Sequence, residues 1–113
     1  MNKRLLMKKL KRFADVEEKK VFTKSIRVKD MSFMNLRDSL LGMGKILEED
    51  FDNNTYVINI PEGLGGLNSA MFVVQLNDNS VDCLGYSREG IFNQHTAEKA
   101  AAKIEKRLKK YVD

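Results

Sequence analysis

Residues 55–87 read TYVINI-PEGLGGLNS-AMFVVQL-NDN-SVDCLGYS, and this stretch decides the fold. Apolar and β-branched residues dominate 55–60, 70–76 and 80–87, whereas asparagine, glycine and proline fill the gaps between these segments. This pattern is typical of strands joined by short turns. The sequence therefore predicts three successive antiparallel strands.

Two residues in this stretch carry specific expectations. Pro61 is expected to end the first strand, because proline has no N–H group to donate to a ladder. Gly85 lies inside the last strand, where glycine indicates a bulge or a close approach of another group to the backbone.

Upstream, residues 45–51 and 21–28 also have strand composition, and Asp52-Asn53-Asn54 is a turn signal between 45–51 and 55–60. Glu48 and Asp50 fall on one face of their strand. These segments extend the prediction to a four-to-five-stranded, mainly antiparallel sheet.

Three segments have helical periodicity: a basic one at about 2–13, one at about 31–41 that Asp30 or Ser32 can cap, and one at about 96–111 with Thr96 as N-cap. In the last helix, Ile104 and Leu108 are expected to be buried. The sequence thus predicts an α+β domain whose sheet has one face packed on helices, with the C-terminal helix as the main cover.

The chain has 113 residues and one cysteine, so we expect a single domain without an intramolecular disulfide. The apolar runs are far shorter than the roughly 18–20 residues of a membrane span. Lysines and arginines also interrupt residues 3–12, which argues against a signal peptide. We therefore expect a cytoplasmic protein.

Charge is unevenly distributed along the chain. Residues 1–29 hold 11 Lys/Arg and 3 Asp/Glu, residues 30–94 hold 3 and 10, and residues 95–113 hold 6 and 3. The net charge of +4 conceals this polarity. Basic helices attract polyanions and release counterions on binding, so the two ends of the chain are the leading functional candidates.

The candidate nucleic-acid-binding residues are the cations of the first and last helices: Lys3, Arg4, Lys8, Lys9, Lys11, Arg12, Lys99, Lys103, Lys106, Arg107 and Lys110. The alternative is a protein-interaction module, such as an inhibitor or accessory factor of a mobile element. Its candidate contacts lie in an acidic hairpin and a glycine-rich loop: Glu48, Asp50, Asp52, Gly63, Leu64, Gly65 and Gly66. The basic ends can also pair with the acidic middle, within the molecule or between the copies of a homodimer.

Enzymatic signals are weak. Cys83 and His95 are the chain's single cysteine and single histidine, and together they cannot supply the four ligands of a zinc site. Cys83 is expected to be a buried mid-strand residue and His95 a capping or surface residue. We therefore expect a non-enzymatic binding module with no metal and no cofactor.

The stretch from Phe72 to Lys109 has two strands around Asn77-Asp78-Asn79, then Gly90-Ile91-Phe92 and the alanine-rich helix that starts at Thr96. In this it resembles the arm-binding domains of phage integrases. In those domains a three-stranded sheet lies against a C-terminal helix and enters the DNA major groove. The resemblance implies nucleic-acid binding through a sheet face.

Overall fold

The computed structural model describes residues 1–62, 68–88 and 95–113. The elements, in chain order, are helix α1 (Lys3–Phe13), strand β1 (Phe22–Arg27), helix α2 (Phe33–Leu40), strands β2 (Lys45–Asp50), β3 (Thr55–Glu62), β4 (Asn68–Leu76) and β5 (Ser80–Tyr86), and helix α3 (Thr96–Arg107). Short 3-10 turns occupy Glu18–Lys20 and Lys109–Tyr111.

The five strands form one antiparallel sheet in the order β1-β5-β4-β3-β2. Strands β2 to β5 follow one another as neighbours, whereas β1 joins the far edge beside β5. The predicted α+β class and the mainly antiparallel sheet are confirmed.

Helices α2 and α3 cover one face of the sheet. Their buried residues, among them Leu36 and Ile104, pack with Tyr56, Ile58 and Phe72 in one apolar cluster. Ile104 and Leu108 are fully buried, as predicted. The C-terminal helix therefore anchors to the sheet through the stripe that its periodicity indicated.

Helix α1 covers the opposite face. Leu6 and Leu10 are fully buried against Val57, Val73 and Leu84. The sheet consequently has helices on both faces, and successive residues of β3 such as Tyr56 and Val57 are both fully buried. The expectation that one face is packed on helices describes only half of this arrangement.

Strand β3 continues through Pro61, which pairs with Ser69 of β4, so Pro61 does not end the strand. Pairing with β2 stops at Asn59, so of the described strands only β4 lies beside Pro61. Proline is tolerated at such an edge position because its missing N–H group is not needed on the open side.

Gly85 is the site of a close approach. Its register with β1 and β4 is unbroken, and a Cβ atom at this position would lie 2.3 Å from the Phe72 ring. The glycine therefore makes room for a core aromatic ring, which is the second of the two predicted alternatives.

The caps of α2 and α3 differ from each other. Ser32 caps α2 and forms a capping box with Asn35. In α3, His95 occupies the N-cap position with φ of 55°, and Thr96 is the buried first residue of the helix. The assignment of Thr96 as N-cap is thus off by one residue.

Replacement of Leu108 by alanine is expected to lower the free energy of unfolding by about 2–5 kcal/mol, because it leaves a cavity beneath α3. Urea denaturation followed by circular dichroism measures the loss. The matched control is Val112→Ala, which truncates an exposed side chain in the same C-terminal segment. A loss at Leu108 no larger than that of the control would show that α3 is not packed on the sheet.

Candidate nucleic-acid interface

Lys9 faces the sheet, unlike the other cations of α1. It lies three residues after Leu6 and next to Leu10, within the buried stripe of the helix, and only 6% of the residue is exposed. Its Nζ atom is 2.6 Å from Glu48 Oε1 and 2.6 Å from Asp50 Oδ2. A buried ammonium group requires such partners, because an unpaired charge is costly to desolvate.

The two carboxylates reach Lys9 because β2 places them on the same face, as predicted. The register of β2 against β3 shifts between Ile46 and Glu48, and Asp50 then pairs with Thr55. Asp50 also accepts hydrogen bonds from the side chain and the backbone N–H of Asn53. The turn after β2 therefore orients one of the two acids that hold α1.

The protonation equilibria reflect this arrangement. Hydrogen bonds from Asn53 and from Lys9 hold the pKa of Asp50 well below its usual range. Burial alone would lower the pKa of Lys9, but hydrogen bonds to Asp50 and Glu48 outweigh burial, so this pKa is raised. Both groups are therefore charged at neutral pH.

Every exposed residue of α1 is a lysine or an arginine. With Leu6, Lys9 and Leu10 buried against the sheet, five basic residues are directed to solvent: Lys3, Arg4, Lys8, Lys11 and Arg12. No acidic residue occurs in α1. The helix thus presents a surface of one sign of charge.

Two of these five cations have carboxylate partners. Lys11 donates to Glu18 in the 3-10 turn, and Arg12 Nη1 is 3.1 Å from Glu48 Oε2. Within residues 1–62, 68–88 and 95–113, Lys3, Arg4 and Lys8 form no ion pair. These three side chains are free to meet an external anion.

A shallow groove of about 550 Å³ runs along the outer side of α1. Its lining consists of Lys3, Arg4, Met7, Lys8, Lys11 and Glu18. Four cations thus line one groove, which we call the basic groove.

Helix α3 lies on the other side of the sheet and has a mixed surface. Its exposed cations Lys99, Lys103, Lys106 and Arg107 are interspersed with Glu98 and Glu105. Lys103 is 2.8 Å from Glu62, and Lys24 of β1 is 3.0 Å from Glu105. Arg107 donates to the carbonyl of Leu41 at 2.9 Å, and Lys110 lies over the Tyr111 ring.

The two groups of predicted basic residues therefore do not form one surface. The cations of α1 and those of α3 are separated by the sheet. Lys9 is buried and therefore does not belong to the candidate interface, and α3 forms a distinct surface.

The residues predicted for the alternative, protein-binding interface do not form one exposed surface among the described residues. Glu48 and Asp50 are engaged by Lys9, and Glu48 also by Arg12, whereas Asp52 is exposed. Gly63, Leu64, Gly65 and Gly66 lie outside the described residues. The acidic hairpin thus serves first as the anchor of α1.

A polar row beneath α1 is a feature that the sequence analysis missed. Ser25, Asp82, Gln75, Thr55 and Asp50 are consecutive cross-strand partners from β1 to β2. Asp82 is buried and accepts hydrogen bonds from the side chains of Ser25 and Asn77. The polar residues at these alternating strand positions are the signal that would have revealed the row.

Cys83 is fully buried, and burial raises the pKa of its thiol to about 12. His95 is exposed at the start of α3. Among the described residues, no group of three or more His, Cys, Asp and Glu is arranged to hold a metal ion. The helices that the structure describes include none with the length and apolar character needed to cross a membrane.

The resemblance to integrase arm-binding domains implies that one face of the sheet is open and can enter the DNA major groove. Here α1 covers the face opposite α3. Comparisons with protein-family models, curated proteins and solved structures gave no match.

Replacement of Lys9 by methionine is expected to lower the free energy of unfolding by about 2–4 kcal/mol at pH 7, because the partly buried Asp50 loses its cation and, among the described residues, Glu48 keeps only Arg12. Lys8→Met is the matched control on the exposed side of the same helix. It is expected to change the free energy of unfolding by under about 0.5 kcal/mol. Urea denaturation provides both values.

Acid titration tests the same ion pair. Because the folded pKa of Asp50 is depressed, its contribution is complete above the unfolded value of about 3.9 and is lost as pH falls below it. The loss of stability from pH 5 to pH 2.5 is expected to be smaller in Lys9→Met than in the unmodified chain. Equal losses, or equal effects of the two substitutions at pH 7, would contradict the anchoring role of Lys9.

Proposed function

We propose that this protein binds nucleic acid through the outward face of α1. The observation that carries the proposal is that all exposed residues of this helix are basic and that Lys3, Arg4 and Lys8 have no carboxylate partner among the described residues. A surface of one sign of charge favours a polyanion, because binding releases its condensed counterions.

The spacing of the cations suits a phosphate backbone. Arg4, Lys8 and Lys11 lie on successive turns, so their Cα atoms span about 10 Å along the helix axis. A nucleic-acid strand carries one phosphate per about 3.4 Å of duplex axis. A row of this length places its cations within reach of neighbouring phosphates of one strand.

The same chemistry predicts little sequence preference. Lysine and arginine contacts to phosphates position a protein but carry no base information. Among the described residues, the lining of the basic groove includes no aromatic side chain on which a base could stack. We therefore expect sequence-indifferent binding.

Replacement of both Arg4 and Lys8 by glutamate is expected to weaken binding to a mixed-sequence duplex at least ten-fold at 50 mM salt, since each phosphate contact contributes to affinity. Fluorescence anisotropy with a labelled duplex measures the affinity. The matched control is Lys99→Glu with Lys106→Glu, which makes the same charge change on the opposite side of the sheet.

The control pair is expected to weaken binding by less than the α1 pair. Both double variants must retain the unfolding midpoint of the unmodified chain within about 3 °C. Equal weakening would show that binding follows net charge alone, and absence of binding by the unmodified chain would refute the proposal.

A specific observation supports protein interaction as a second candidate. Three large apolar side chains in α2, in β2 and directly after β2 are exposed: Met34 by 48%, Leu47 by 37% and Phe51 by 63%. The Phe51 ring meets Phe33 edge-on at 5.2 Å. An exposed aromatic ring packed on a second aromatic ring is a candidate contact surface.

If a second copy covers this surface, sedimentation equilibrium will show a dimer that Phe51→Ser weakens at least ten-fold. Val112→Ser, at another exposed apolar position, serves as the control and should leave association unchanged. A monomer at all concentrations up to about 1 mM would remove self-association from consideration.

A further inference from the structure

Glu18 occupies the basic groove, and this suggests how the groove is regulated. It belongs to the 3-10 turn Glu18–Lys20 and is the acidic residue in a lining that otherwise contains four cations and Met7. We propose, on the basis of the nucleic-acid function above, that Glu18 competes with nucleic-acid phosphates for Lys11. The Glu18 carboxylate pairs with Lys11 until a phosphate takes the place of the carboxylate.

The contact between Glu18 and Lys11 carries this inference. Lys11 Nζ donates to Glu18 Oε1, and both side chains are about half exposed. The hydrogen bond and charge of Lys11, and then the charge of Lys3, lower the pKa of Glu18. Cations from both ends of the groove therefore act on this carboxylate. Glu18 thus has the position and charge that a bound phosphate would have.

The Lys11–Glu18 ion pair is weak enough for a phosphate to displace the carboxylate, because both side chains are exposed to solvent. Ion pairs between exposed side chains contribute little net stability, so an external phosphate can replace the carboxylate at small cost. When Glu18 is displaced, Lys11 becomes available to extend the row that starts at Arg4 and Lys8. Removal of Glu18 is therefore expected to tighten binding, because Lys11 then meets the phosphate without first giving up its carboxylate partner.

The chain offers a matched control beside Glu18. Glu17 is similarly exposed, pairs with Lys20 at 3.4 Å, and is not part of the groove lining. Glu17→Gln and Glu18→Gln remove the same charge at adjacent positions. Any difference between them reports on the groove and not on net charge.

The test measures duplex affinity by fluorescence anisotropy as a function of salt for three proteins: the unmodified chain, Glu17→Gln and Glu18→Gln. Glu18→Gln is expected to bind about two- to five-fold more tightly than Glu17→Gln at 50 mM salt. Its plot of log affinity against log salt should be steeper by up to about 0.9, because in the unmodified chain the displaced Glu18 takes up a cation as the phosphate releases one. Lys11→Gln in the Glu18→Gln background should abolish both gains.

Equal affinities and equal salt slopes for Glu17→Gln and Glu18→Gln would overturn the competitor role while leaving nucleic-acid binding intact. Persistence of the gain in the Lys11 double variant would also overturn it. Failure of all three proteins to bind would refute the proposed function itself, and the role of Glu18 would fall with it.

Discussion

The ion pair of Lys9 with Glu48 and Asp50 is the contact on which the arrangement of the N-terminal half depends. It determines how α1 is rotated about its axis, because a buried ammonium group must face its two carboxylates. Once Lys9 points to the sheet, Arg4 and Lys8 point away from it. The basic groove is therefore a consequence of this helix orientation, which the burial of Leu6 and Leu10 also supports, and not only of a high lysine content.

The two faces of the sheet are held in different ways. The α2 and α3 face is a large apolar cluster, whereas the α1 face combines a small cluster around Leu6 and Leu10 with the polar row and the Lys9 pair. In that row Thr55 Oγ1 and Gln75 Oε1 are buried and form no hydrogen bond with the described residues. Buried polar groups without hydrogen bonds lower the stability of the layer that covers them. The attachment of α1 to the sheet therefore depends more on ion pairing than the attachment of α2 and α3 does.

The parts of the fold that were predicted depend on local patterns. Alternation of apolar residues gave the strands, and helical spacing gave the burial of Ile104 and Leu108. Close approach at Gly85 was one of two alternatives, since the sequence does not show that Phe72 lies across from it. Prediction failed at Pro61 because strand ends depend on which neighbours are present.

The sequence identified the basic residues of the candidate site but not the directions in which their side chains point. Lys9 was grouped with the solvent-facing cations, although its place three residues after Leu6 and one before Leu10 puts it on the buried stripe. The pairing with Glu48 and Asp50 joins residues about forty positions apart, and no local pattern encodes such a contact. For the same reason the sequence could not show that α1 and α3 lie on opposite faces, nor that Glu18 enters the basic groove.

The most direct test of this account is an NMR titration of the lysine side-chain ammonium groups with a mixed-sequence duplex. If Lys9 anchors α1 to the sheet, its signal is present in the free protein, exchanges slowly with solvent because the group is buried, and stays unchanged as duplex is added. Lys3 and Lys8 signals should shift together with binding. A Lys9 signal that exchanges as fast as that of Lys8, or that shifts with the duplex while Lys3 and Lys8 do not, would contradict it.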